Sequence, residues 1–471
     1  MYSNSISVNL SHRTKSPTAK SDDADTMEHP EREPRSNLDD LHHLNNMAVQ
    51  LFRNISKHHP ANENLVLCPP AIFLNLYEIY LGSRGRTHEE LDAFFEASPA
   101  SLTALTEDIR NFIDLGHSSR RNRHYNWHTG SRIMATPQTD FDPRFTQAID
   151  KVTGRGIGHI DSRDELNVSL DRLTAELTED RLSGADAAPR AISAGEKEAL
   201  GAITKAWGKD PDAAFLMSAA HFHADWEAKF MKRASSNYEG RMRQNVQALT
   251  ATVEPFHNAD GSVVDVIMVH LQEKIFLTRD ENLKVTIAEI PLSHYSMNMT
   301  VILPDDAKSG LKNFENNFTC ETLEILRKDW QMPQTHVYFP KFALESHLGL
   351  SKALQSMGLK GLFTPQSNGD LSPAGNGKLH IVEAIHKAGV EISAETGEPL
   401  PPRQPRAGEC SVMRPDTFAR GLRLDRPFLF FITARHPEVW CFMGKVVDLT
   451  HTVNPEVWSH HKRKDRTEFN E

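Results

Sequence analysis

Residues Leu422–Ile432 read LRLDRPFLFFI, and residues Phe442–Thr450 read FMGKVVDLT. Each is an apolar run of strand length, aromatic or β-branched in the middle and bounded by charge, the pattern of a buried β-strand. Upstream, His380–Ser393 reads HIVEAIHKAGVEIS and predicts another strand. Between these strands lies ETGEPLPPRQPRAGEC, Glu395–Cys410, a long loop with prolines throughout its middle. Whether that loop could itself become a strand decides what the protein can do.

The chain has 471 residues, 39% of them hydrophobic and 25% charged, enough to bury a large core. Length alone allows about three domains of roughly 150 residues. The net charge of −10 gives no electrostatic case for nucleic acid. The N-terminal MYSNSISVNLSHRTKSPTAK lacks the apolar stretch of a signal peptide, so a cytoplasmic location is expected. No run is long enough to span a bilayer, and no membrane role is expected. Cys68, Cys320, Cys410 and Cys441 are too few for a disulfide framework. Cys68 and Cys441 sit in apolar runs and are expected to be buried. Triplets for N-glycosylation start at Asn9, Asn54, Asn167, Asn298 and Asn317, but Asn298 falls inside the strand-like SMNMTVIL.

Residues 1–38 and 453–471 are polar and charged and are expected to be disordered tails around one domain, 39–452. Leu41, Leu44, Met47, Ala48, Leu51 and Ile55 recur at three- and four-residue spacing, the stripe of an amphipathic helix. A buried helix is expected next, stopped at Gly82 and Gly85, and Thr87 with Glu90 fits a capping box for the helix after it. From about residue 213 strand patterns dominate. Helices early and strands late predict an α+β protein with largely antiparallel sheets.

The terminal pair LRLDRPFLFFI and FMGKVVDLT, together with HVYFPKFALESHLGLSKALQSMGLKGLF, AEIPLSHYSMNMTVILPDD, AIHKAGVEIS, NLVLCPPAIFLNLYEIYLGSRGRTHEE and HFHADWEAKF around Trp226, resembles the serpins. The resemblance runs in order from about residue 40 to 452. It implies the serpin fold, with helices concentrated in the first half, three largely antiparallel sheets and an exposed reactive-centre loop over about 394–421. It implies a monomer that is no enzyme, uses no cofactor or metal, and inhibits a serine protease, in a family more often found in the extracellular space. A protease cuts the loop, whose N-terminal half then enters the large sheet as a new strand.

A strand entering mid-sheet must pair on both sides and bury alternate side chains. The resemblance implies a hinge of small residues, and the corresponding run here is Ala394, Glu395, Thr396, Gly397, Glu398, Pro399, Leu400, Pro401 and Pro402. Proline lacks the amide hydrogen that a central strand must donate, and each misplaced one costs on the order of a few kcal/mol. One register also buries Arg403 and the other Glu398. The loop is thus expected to insert slowly or only in part. For the scissile bond, counting from the hinge gives Cys410-Ser411, counting back from Arg426 gives Asp416-Thr417, and Arg403 and Arg406 suit a trypsin-type protease.

Other classes find less support. The chain has no G-x-S-x-G, H-E-x-x-H or P-loop. His221 and His223 alternate along a strand and share a face, but nothing nearby completes a metal site. Ser218 stands where the resemblance implies an Asn that holds the sheet shut, and Cys68 and Ala71 stand where it implies serines. A non-inhibitory carrier, chaperone or storage protein is the alternative function. A heparin-like polyanion has one candidate patch, Arg120, Arg121 and Arg123.

Overall fold

In a computed structural model, Phe428–Ile432 and Phe442–Val446 of the two terminal runs lie on neighbouring strands of one sheet, while Leu422 and Arg423 pair in a second sheet. The structure describes residues 38–118, 125–160, 166–179, 181–182, 194–207, 209–225, 250–292, 297–306, 310–322, 330–364, 370–375, 378–393, 421–435 and 438–450, all within one compact unit. Helices come first: α1 (Leu38–His58), α2 (Pro69–Leu81), α3 (Gly85–Phe95), α4 (Pro99–Ser118), α5 (Pro143–Thr153), α6 (Leu166–Thr178) and α7 (Ala194–Ala206). Among them lie β1 (Leu65–Leu67), β2 (Tyr125–Ala135) and β3 (Gly158–His159). Strands follow: β4 (Ala213–Asp225), β5 (Thr250–His257), β6 (Val263–Lys274), β7 (Phe276–Asp280), β8 (Val285–Leu292) and β9 (Met297–Pro304). After α8 (Gly310–Asn317) come β10 (Gln334–Pro340), β11 (Phe342–Gly349), the short helix α9 (Ser351–Ser356), β12 (His380–Ser393), β13 (Gly421–Arg423), β14 (Phe428–Arg435) and β15 (Glu438–Val446).

The described strands form three sheets, ordered β1-β15-β14-β9-β8-β7, β13-β10-β6-β5 and β11-β12-β4-β2-β3. Most neighbours are antiparallel, but β12 lies parallel to β4, as β13 does to β10. This is the α+β architecture that the sequence predicts. The stripe of α1 is buried as expected, and α2 is buried along nearly its whole length beneath the sheets. Cys68, Cys320 and Cys441 are buried free thiols, and Asn298 is buried within β9, donating to Glu289 at 2.8 Å.

One local expectation is corrected. Thr87 does not cap α3, which starts two residues earlier at Gly85; its hydroxyl instead accepts from the Asp370 amide at 2.9 Å. THVYFPKFALES spans two strands, β10 and β11, which break at Lys341 and pair in different sheets. His347–Gly349 pair with β12, so the helix α9 that follows begins only at Ser351.

Candidate functional site, the seam between β4 and β12

β12 runs from His380, through a register shift at Ile381/Glu383, to Ser393, and it pairs with β4 along that whole length. His380 faces Ala213 at the lower end, and Ser393 faces Asp225 at the upper end. Residues 394–420 leave from that upper end and return to the fold at β13. A segment folding back from Ser393 would run antiparallel to β12 and, because β4 is parallel to β12, antiparallel to β4 as well. It could therefore pair with both strands once they parted by one strand spacing, about 4.8 Å. The seam is closed along its length, so any such insertion must first break this ladder.

On the core side, the seam is held by one imidazole. The Cys68 amide, at the start of α2, donates to His386 Nε2 at 3.0 Å, which leaves the proton on Nδ1. Nδ1 donates to Ser218 Oγ at 2.9 Å, and Ser218 Oγ donates on to the Ile385 carbonyl at 3.4 Å. Ser218, shorter than the expected Asn, thus still links β4 to β12. Burial, helped by nearby His347, lowers the His386 pKa to about 3 and keeps the ring neutral.

The outer face is braced by α6 and α7. Leu166, Leu170, Leu173 and Leu177 of α6 and Ala199 and Ile203 of α7 form one apolar cluster with Met217 and Ala219 of β4 and Ile385 of β12. Lys387, nearly buried on β12, reaches Asp171 of α6 at 3.1 Å. Toward the upper end, His221 and His223 share this face, as their alternation predicts, and His128 of β2 stands opposite His221. His223 pairs with Glu391 across the seam at 3.3 Å, and His128 pairs with Glu179 at 3.3 Å. Burial drives His221 down to about 3, against the pull of Glu391. Among the described residues no group of three or more His, Cys, Asp and Glu is arranged to hold a metal.

Where the chain re-enters at β13, Arg423 lies 4.1 Å over the Tyr338 ring and pairs with Glu254, which also bonds His270 at 2.9 Å. Four strands therefore share one polar cluster that fixes the three-residue β13. Ala394, Glu395, Thr396, Gly397, Glu398 and Pro399 of the hinge lie outside the described residues, as do Arg403, Arg406, Cys410, Ser411, Asp416, Thr417, Trp226 and the Arg120, Arg121, Arg123 patch. The sequence reading missed the role of His386. The signal was there, since His386 shares its parity with Ala384 and Ala388, both buried toward the core.

The described strands thus give a sheet with a closed parallel seam between β4 and β12, and β13, the next described strand after β12, lies in a second sheet. The chain matches the family described as Serpin (serine protease inhibitor) over residues 42–183 and 184–449, and it belongs to that family. It is 24% identical over 416 residues to leukocyte elastase inhibitor of Homo sapiens, covering 84% of this chain and 96% of that protein. Against Ipis-1 of Ixodes persulcatus it is 24% identical over 413 residues, 86% of this chain and 98% of the relative. Uncleaved ovalbumin shares the fold with a TM-score of 0.64 at 20% identity, over 87% of this chain and all of that one. Maspin does so with a TM-score of 0.64 at 17% identity, covering 88% and 99%.

Proposed function

We propose that this serpin offers residues 394–420 as bait to a serine protease, and that cleavage outruns insertion, so most encounters end with a cut loop rather than a trapped enzyme. The observation that carries this reading is the fully zipped seam ending at Ser393 and Asp225, directly ahead of a hinge containing Pro399, Pro401 and Pro402. To insert, the hinge must displace a regular ladder and replace it with one that lacks three amide donors. The scissile bond falls within Arg403–Thr417, with Arg403 and Arg406 suited to a trypsin-type enzyme. The victim supplies the chemistry; this chain turns nothing over. The test is incubation with trypsin-, chymotrypsin- and elastase-type proteases, followed by a denaturing gel and a melt of the product. Loop cleavage with only a minor covalent band is expected. A covalent complex at near-equal stoichiometry, with a large rise in melting temperature, would overturn the reading.

The same prolines favour one second reading, a non-inhibitory serpin-fold carrier, chaperone or storage protein, which needs no insertion at all. No protease-dependent covalent band and an unchanged melt after cleavage would favour it. A heparin-like polyanion at Arg120, Arg121 and Arg123 fits either reading. Retention on heparin that is lost when the three arginines are neutralised tests it.

A further inference from the structure

We infer that a cavity beside β2 is a site for a small phosphate monoester, held by Arg110 and Arg155. β3 pairs with β2 only at Met134 and Ala135, so along Thr129–Ser131 the edge of β2 away from β4 carries no described strand. Against that stretch lies a cavity of about 370 Å³, within the range of small-ligand pockets. Leu74 of α2, Ile113 of α4 and Val152 of α5 give it an apolar side. Arg110 reaches it from α4, and Arg155 from just beyond the end of α5. Gly130 makes room for the second cation: a Cβ there would stand 3.2 Å from Arg155 Nη1 and 2.7 Å from Leu177 Cδ2.

An inventory of donors on the wall selects the ligand. The three hydroxyls have committed their protons: Thr129 Oγ1 donates to the Ala219 carbonyl at 2.9 Å, Thr153 Oγ1 to the Ile149 carbonyl at 3.0 Å, and Ser131 Oγ to Glu78. Each arginine also has a structural bond, Arg110 to the Lys151 carbonyl at 2.8 Å and Arg155 to the Glu176 carbonyl at 3.3 Å, in the last turns of α5 and α6. A guanidinium carries five N–H groups, however, and among the described residues neither arginine meets a carboxylate. Arg132 beside them shows the contrast, since it pairs with Glu176 at 3.2 Å and donates to the Arg155 carbonyl at 2.9 Å. Glu179, the one acid on the wall, is paired with His128 at 3.3 Å. Two half-buried cations without counter-ions thus face an apolar side. Guanidinium forks fit a phosphate oxygen pair, a dianion carries charge enough for both, and an apolar body rests on Leu74 and Ile113.

Calorimetric titration of the full chain with phenyl phosphate, in a phosphate-free buffer of low ionic strength, tests the site without any protease, so its outcome is separate from the inhibitor reading. One saturable site is expected. Arg110→Gln and Arg155→Gln should each weaken binding about tenfold, as loss of a charge-assisted pair does. Glu179→Gln removes the carboxylate from the wall and should tighten binding about twofold, a change that a purely helix-capping role for the arginines would not produce. Inorganic phosphate, which lacks the ring, and benzoate, which lacks the second charge, should both bind more weakly, and benzyl alcohol should not compete. No saturable binding to the wild type up to about 10 mM, binding unchanged in both arginine variants, or benzyl alcohol binding as tightly as phenyl phosphate would overturn the site. Where an arginine variant does not fold, the Glu179→Gln response and the comparison of phosphate with alcohol on the wild type decide.

Discussion

His386 on β12 and Ser218 on β4 stand directly opposite each other in the ladder and share a 2.9 Å hydrogen bond, with the Cys68 amide on the far side of the ring. One neutral imidazole thereby ties together β4, β12 and the start of α2. The bond works only with the ring uncharged, because Nε2 must accept while Nδ1 donates.

Replacing His386 with Leu should cost about 1–3 kcal/mol at neutral pH, since it strands the buried Cys68 donor and takes from Ser218 Oγ the donor it accepts from. The pH dependence follows from the lowered pKa of about 3. Below about 6.5 the unfolded imidazole binds a proton that the folded one refuses, so this group's stability is present above 6.5 and drains away as pH falls toward 3. Urea unfolding of both proteins checks it. The gap between wild type and variant should narrow between about pH 7 and pH 4.5, and a constant gap would count against a buried neutral ring.

Glu78 of α2 behaves in the opposite sense. It is fully buried, and desolvation, only partly offset by the hydrogen bond from Ser131 Oγ and by Asn75, raises its pKa to about 8. Between about 4.5 and 8 the folded state keeps a proton that the unfolded state has lost, so stability falls as pH rises through that window. Glu78→Gln keeps an acceptor for Ser131 without the charge. It should match the wild type near pH 4.5 and exceed it by a few kcal/mol above pH 8, read by denaturant midpoints at the two pH values.

Gly444 sits mid-strand in β15, between Val66 of β1 and Phe430 of β14. A Cβ there would stand 2.5 Å from both the Leu65 carbonyl oxygen and Phe430 Cζ. The carbonyl belongs to backbone and cannot swing aside. Gly444→Ala should therefore destabilise by about 1–3 kcal/mol through overpacking, despite alanine's usual advantage over glycine in a strand. A melting temperature equal to or above the wild type's would refute the close approach.

The parts legible in sequence are those where burial alone sets the pattern. β12 has the bounds that its sequence predicts, with Ile381, Ala384, Ile385, Ala388, Val390 and Ile392 buried along it, and the apolar run of β14 and the stripe of α1 are legible in the same way. β2 was not foreseen, since Asn126, His128, Thr129, Ser131 and Arg132 interrupt any apolar pattern. Their partners, Glu179, Ala219, Glu78 and Glu176, come from distant parts of the chain. The break at Lys341 was equally hidden, because β10 and β11 are both apolar and only their partners differ. The prolines of the expected hinge are legible in the sequence because each acts through its own backbone, whereas the network of His386 with Ser218 and Cys68 is assembled from three separate segments.

The hinge prediction separates loop from lock. If the prolines limit insertion, then Pro399→Ala, Pro401→Ala and Pro402→Ala together restore three amide donors, each worth on the order of a few kcal/mol in a central strand. Adding Glu398→Ala removes the charge that one register would bury. Incubated with a protease that cuts between Arg403 and Thr417, the substituted protein should shift from cut loop toward an SDS-stable complex, and its cleaved form should melt well above the intact one. Pro399→Ala alone should give a smaller shift in the same direction. Should the fourfold variant still be cut cleanly with no complex, the hinge is not what limits insertion. The barrier would then lie in the seam itself, in the His386 network and the helices laid across it, and releasing His386 in the alanine background would be the variant that completes the trap.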